Sequence, residues 1–217
     1  MKRFSRLLFF LAVIAMICAG TAFADVINGS FESGLFGWTV TEDRPNLSNE
    51  AISIFNPLFA VDGSWFLSLQ AANNPEDPAH GYISVSQDLN LLAGDTVSGY
   101  SAFRTIDIYP ANYDMGWVSI GNETVWSLNI EEVYDRYGGI DEGESRSDWE
   151  FWSWTAPADG TYRLSLNQRG DDQQFSWSYY DDIRVHSAPI PEPATALLLG
   201  LGLLAIGACR TRLRTDR

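Results

Sequence analysis

The sequence predicts an all-β protein, a jelly-roll-like antiparallel β-sandwich over residues 25–187. A signal peptide (1–24) precedes it, and a C-terminal segment (188–217) with one transmembrane helix follows. Three observations predict the sandwich. Apolar residues between 25 and 188 recur with a period of two. Clusters of Gly, Pro, Asn and Asp interrupt them at short intervals. No window in that stretch sustains helical periodicity.

At the N-terminus, Lys2, Arg3 and Arg6 form a basic region, and an apolar run covers 7–20. Ala22-Phe23-Ala24 then supplies small residues at a cleavage site. That order is the pattern of a secretory signal peptide, so the mature chain is expected to begin at Asp25, outside the cytoplasm.

The body reads as strands. Trp65, Leu67, Leu69 and Ala71 share one face of their run, and Tyr162, Leu164 and Leu166 share another. Trp126, Leu128 and Ile130 alternate with Val125, Ser127 and Asn129. Further strand-like runs cover 51–55, 82–89, 96–103, 117–120, 149–155 and 179–185. Asp62-Gly63, Gly94-Asp95, Gly121-Asn122 and Asp159-Gly160 mark turns between them. The stretch 131–148, with seven acidic residues, reads as a solvated acidic loop.

Charge and cysteine content narrow the function. Residues 25–188 hold seven arginines, no lysine and 26 acidic residues, a net charge of −19. Such a body repels phosphate backbones, which excludes a nucleic-acid partner. Neither cysteine, Cys18 or Cys209, lies in the body, so no disulfide staples it and its apolar core must suffice. No Gly-x-Ser-x-Gly, His-Glu-x-x-His or phosphate-loop motif occurs, and no catalytic residue is assigned.

The C-terminus has its own grammar. Pro191-Glu192-Pro193 precedes a 16-residue run, 194–209, whose one polar residue is Thr195. Arg210, Arg212, Arg214 and Arg217 close the chain. A helix over 194–209 would be about 24 Å long, slightly short of a ~30 Å hydrocarbon core, and flanking arginines can snorkel to the interface. Basic flanks stay cytoplasmic, which places the acidic body on the other side of the inner membrane. The motif, helix and basic tail in this order resemble a PEP-CTERM sorting signal. The resemblance implies an exosortase as partner, in a Gram-negative bacterium that makes exopolysaccharide. It also implies transient anchoring in the inner membrane, then delivery to the cell surface or extracellular matrix.

A second resemblance covers the body. Asn28-Gly29-Ser30-Phe31-Glu32 with Gly37-Trp38, then Trp152-Ser153-Trp154 with Gly160-Thr161-Tyr162, then Asp181-Asp182-Ile183 are similar to galactose-binding-like and carbohydrate-binding-module sandwiches. It implies a structural Ca²⁺ tying the opening segment to the last strand, with Asn28, Glu32, Asp181 and Asp182 at the matching positions. Hard oxygen donors of this kind suit Ca²⁺. Strict alternation would put Asp181 on the side of Ile183 and Val185, facing inward, where a carboxylate needs a partner.

Two groups could hold a glycan. Trp152 and Trp154 share one strand face, opposite Trp149 and Phe151, and an exposed aromatic face would offer a platform for sugar rings. Asp107, Tyr109, Asn112, Tyr113 and Asp114 lie in a polar, aromatic loop that would line a groove. The leading expectation is a non-enzymatic exported sandwich associated with polysaccharide. A structural matrix protein without a ligand and a secreted glycan-acting enzyme are the alternatives.

Overall fold

The structure is a computed structural model. It describes residues 25–42, 48–52, 54–55, 58–70, 81–107, 113–141, 144–170, 174–188 and 202. The chain divides into two compact units, Met1–Ser187 and Ala188–Arg217. The expected signal peptide and, apart from Gly202, the expected membrane helix over 194–209 lie outside the described residues. No helix among the described residues is long and apolar enough to cross a membrane.

The first unit is a two-sheet antiparallel sandwich. One sheet has five strands: β1 (Thr39–Glu42), β6 (Gly81–Leu91), β13 (Gly160–Gly170), β8 (Met115–Ile120) and β9 (Glu123–Asn129), in that order. The second runs β10 (Gly139–Asp141), β11 (Glu144–Arg146), β7 (Thr96–Thr105), β14 (Ser176–His186), β5 (Phe66–Gln70), β2 (Ser48–Ile52). Strand β12 (Glu150–Thr155) also pairs with β7, beyond β11 along the same edge. A small hairpin joins β3 (Ile54–Phe55) to β4 (Leu58–Phe59).

Alternation decides what is buried. Ile83, Val85, Leu89, Leu164, Leu166, Val118 and Leu128 point inward from the five-stranded sheet. Leu67, Leu69, Val97, Phe103 and Tyr180 meet them from the other. The opening turns, residues 27–37, close one part of this core. Phe31 stacks on Trp38 at 5.3 Å, and the Trp38 indole donates to the Asn28 carbonyl at 3.2 Å. A smaller cluster of Leu58, Phe66, Ala102 and Tyr179 lies on the outer face of the second sheet, with Trp149 packed against it.

One expectation is corrected here. The acidic stretch 131–148 is not all loop: it contains α1 (Ile130–Tyr137) and the short strands β10 and β11. A capping box starts the helix, with Asn129 Oδ1 accepting from the Glu132 amide at 2.8 Å and Glu132 Oε2 accepting from the Asn129 amide at 3.1 Å. Ile130 and Val133 bury its inner side. At eight residues it is too short for its periodicity to stand out against the charge run around it.

Candidate functional site

The outer face of the five-stranded sheet is where polar and aromatic side chains come together. Inward Ile83 and Val85 leave Tyr82, Ser84 and Ser86 outward on β6. On β8, inward Gly116 and Val118 leave Trp117 outward. On β13, inward Leu166 and Gln168 leave Asn167 and Arg169 outward. Strand β13 lies between the other two, with Arg169 opposite Tyr82 and Asn167 opposite Trp117.

The Tyr82 and Trp117 rings meet over β13, with centroids 5.8 Å apart and planes tilted by 30°. Asn167 is 2 % exposed beneath them. Its Oδ1 accepts from the Tyr82 hydroxyl at 3.2 Å, and its amide donates to the carbonyls of Ser165 at 3.0 Å and Trp117 at 3.3 Å. The first of these bonds fixes the Tyr82 ring, against which the Trp117 indole packs. Arg169 Nε donates to the Tyr113 carbonyl at 3.0 Å, which fixes the guanidinium beside them. Farther along the face, Arg163 grips both oxygens of Asp88, at 2.8 and 3.1 Å. That hydrogen-bonded pairing holds the Asp88 carboxyl below its ordinary range. Chemically, the face offers partly exposed ring surface for C–H stacking, with the Tyr82 hydroxyl and the Arg169 guanidinium beside it.

Sequence reasoning assigned neither Tyr82 nor Trp117, although it placed both in strands. The signal was their parity: each is an aromatic residue at the polar, outward position of an alternating strand.

The expected aromatic platform is not formed by Trp152. That side chain is 4 % exposed, and its indole donates to Ser101 Oγ at 2.8 Å inside the core. Trp154 is half-buried beside Tyr162, with its indole donating to Glu123 at 3.1 Å. The strand displays its other face, where Phe151 is exposed. Sheet pairing explains the choice: Trp152 lies opposite Gly99, which leaves room for an indole on the inner side.

Three of the five expected loop residues, Asp107, Tyr113 and Asp114, are described. Asp107 and Asp114 are buried, and Thr105 Oγ1 accepts from the Asp107 amide. Tyr113 is 51 % exposed and joins the sheet face through its carbonyl bond to Arg169. Tyr109 and Asn112 lie outside the described residues.

The opening segment and the closing strand do meet, through direct hydrogen bonds. The Ile183 amide donates to the Gly29 carbonyl at 3.1 Å, and a side chain at Gly29 would collide with the Ile183 carbonyl. Two carboxylates then seize one loop. Glu32 Oε1 accepts from Ser64 and Trp65 amides at 2.7 Å each. Asp181 Oδ2 accepts from Val61 and Asp62 amides at 2.6 and 3.1 Å, and its Oδ1 from the Asp182 amide.

The facing argument for Asp181 is overturned. A register shift between Asp181 and Arg184, with Asp182 in the left-handed region at φ 52°, breaks strict alternation. Asp181 points outward with Tyr179, under the 61–65 loop, whereas Ile183 points into the core. Asn28 spends its side chain on its own turn, accepting from Ser33 and donating to Gly34, and Asp182 pairs with Arg184. In this arrangement Asn28 Oδ1, Glu32 Oε1, both Asp181 oxygens and Asp182 Oδ1 are engaged by amides or by a guanidinium. Among the described residues, no three His, Cys, Asp or Glu side chains cluster as metal ligands.

Residues 189–212 match the family model of the PEP-CTERM protein-sorting motif. The chain carries a PEP-CTERM sorting signal. The segment contains Pro191, Glu192 and Pro193, which lie outside the described residues, and it marks an exported protein. No curated protein matches this PEP-CTERM chain. Among solved structures, it is similar to TmCBM61 in complex with β-1,4-galactotriose, at 13 % identity and TM-score 0.48, over 76 % of this chain and 99 % of that one. It is also similar to the K3 cleaved adhesin domain of Lys-gingipain from Porphyromonas gingivalis, at 16 % identity and TM-score 0.49, over 76 % and 99 %. A third is CBM28, a non-crystalline cellulose specific carbohydrate-binding module, at 15 % identity and TM-score 0.44, over 78 % and 97 %.

Proposed function

We propose that this is an exosortase-processed surface or matrix protein whose sandwich binds polysaccharide without acting on it. The Tyr82–Trp117 ring pair, held over Asn167 on an otherwise polar sheet face, is the observation that carries the reading. A pair of partly exposed aromatic rings, one of them tethered by a hydrogen bond beneath it, is costly to leave in water unless something covers it. The one acid outward on β6 near this face, Asp88, is bound through both oxygens by Arg163. That supports binding over a hydrolytic pair of carboxylates, which requires two free groups flanking the ligand.

Trp117→Ala in the purified full chain should weaken retention in affinity gels carrying soluble polysaccharide by about tenfold or more, with the melting temperature little changed. Unchanged retention on every glycan that the parent binds would overturn the reading.

Sorting is tested separately. Changing Arg210, Arg212, Arg214 and Arg217 together to Glu should reduce membrane retention and processing, because the positive tail holds the C-terminus on the cytoplasmic side. Wild-type processing of that variant, in cells with a working sorting enzyme, would remove the physical basis of the assignment.

A further inference from the structure

In a body of net charge −19, guanidinium groups are scarce and mostly spent on acids. Arg104 pairs with Glu144, Arg136 with Glu132 and Glu150, Arg163 with Asp88, and Arg184 with Asp62 and Asp182. Neither Arg146 nor Arg169 forms an ion pair among the described residues; Arg146 Nε is buried without a hydrogen-bond partner, whereas Arg169 stands outward on the sheet face. Among the described residues, the one hydrogen bond of Arg169 is the Nε bond to the Tyr113 carbonyl, and no carboxylate lies within ion-pair distance. That bond orients the group without neutralising it. Among the described residues, no acid matches its two Nη nitrogens, which form the outer edge of a planar fork.

The surroundings strengthen the point. Arg169 faces Tyr82 directly across β13 and β6, and Met115 directly across β13 and β8. Asn167 and Trp117 are its next outward neighbours, and all of these are uncharged. A sheet face with an unpaired cation and no unpaired acid among these neighbours runs against the composition of the whole domain.

Resting on the polysaccharide-binding reading, we propose that the ligand of this face is an acidic polysaccharide. A sugar ring stacks on Tyr82 and Trp117, and its carboxylate is taken by the Nη edge of Arg169. A planar two-oxygen carboxylate matches that fork, and a guanidinium keeps its charge at any physiological pH. Uronate-bearing chains are therefore the substrate class, and neutral glycans of similar shape are poorer ligands. The net negative charge of the body does not prevent this. Repulsion from charges elsewhere is screened beyond about 8 Å at physiological ionic strength, whereas the Arg169 contact is direct.

The test compares polygalacturonate with its fully methyl-esterified form, which keeps the rings and removes the charge. Full-length parent, Arg169→Gln and Trp117→Ala are run in affinity gels containing each polymer. The parent should bind the acid form at least about tenfold more tightly than the ester. Arg169→Gln should erase that preference, lowering binding of the acid form far more than binding of the ester. Trp117→Ala should weaken both.

Three results overturn the proposal: equal binding of acid and ester by the parent, no binding of the acid form, or an unchanged acid preference in Arg169→Gln. A variant set in which Trp117→Ala weakens both polymers while Arg169→Gln changes nothing would sink the acidic-ligand inference and leave the platform standing. Loss on Arg169→Gln alone, with Trp117→Ala silent, would do the reverse. Melting curves of both variants identify a loss due to unfolding, and Arg169→Lys, which keeps charge without the fork, should restore only part of the preference.

Discussion

Replacing Trp152 by alanine is expected to cost about 3–5 kcal/mol of stability, the range for truncating a buried large aromatic side chain. The indole fills space that Gly99 leaves open across the β7–β12 pair and packs beside Ile183. Its loss would leave a cavity in the main core and the buried Ser101 hydroxyl without its donor. For a domain of this size the melting temperature should fall by roughly 10–15 °C. Trp154→Ala should cost clearly less, since Trp154 is half-buried and its bond to Glu123 is at the surface. Thermal unfolding of both variants checks the ranking. Equal small effects would mean that Trp152 is displayed rather than packed, as an aromatic platform requires.

The same residue shows what alternation does and does not reveal. The split of Trp149 and Phe151 from Trp152 and Trp154 was legible at once, because strand geometry forces it. Which side enters the core was not. That depends on the neighbour across the sheet, and Gly99 sits 53 positions earlier in the chain. Most strands were legible for the same local reason: alternating runs at 82–89, 96–103 and 117–120 fall within β6, β7 and β8. Two features hid. Helix α1 depends on a four-residue capping box and two buried side chains. The kink at Asp182 breaks the parity count in a run that otherwise alternates.

The candidate site was half legible. Aromatic and polar residues were expected to share one surface, and the structure brings such residues together on the outer sheet face, from positions other than those expected. Tyr82, Trp117 and Arg169 come from three separate strands that the register of β13 alone brings side by side. No spacing in the sequence encodes that register. It follows from inward residues such as Leu164 and Leu166 seeking the core, which turns Arg163, Ser165, Asn167 and Arg169 outward together.

Stability should decline as pH rises from about 4 to 7, with Asp181 as the main cause. Its carboxyl is fully buried, at 0 % exposure, beneath the 61–65 loop. Burial pushes its pKa from 3.8 up to about 7, and the neighbouring Asp182 charge adds to this. The amides of Asp62, Asp182 and Val61 oppose the rise without cancelling it. Between those two values the folded chain holds a proton that the unfolded chain has released. The native state is therefore favoured at the acid end, and the advantage is lost as pH passes through the folded value. The gap corresponds to at most about 4 kcal/mol.

Other acids set the lower bound. Asp88 and Glu144 are held below their ordinary range by hydrogen bonds to Arg163 and Arg104, so their contributions are lost as pH falls through their folded values. A maximum near pH 4–5 results. Asp181→Asn removes the titration at nearly constant volume, but it turns an amide nitrogen toward loop amides that need an acceptor. It should therefore be less stable than the parent at pH 4.5 by about 1–3 kcal/mol. Its stability should then change little up to pH 7.5, so the two curves converge. Urea unfolding of both full-length chains across that range measures this directly, and parallel curves would show that the pH dependence arises elsewhere.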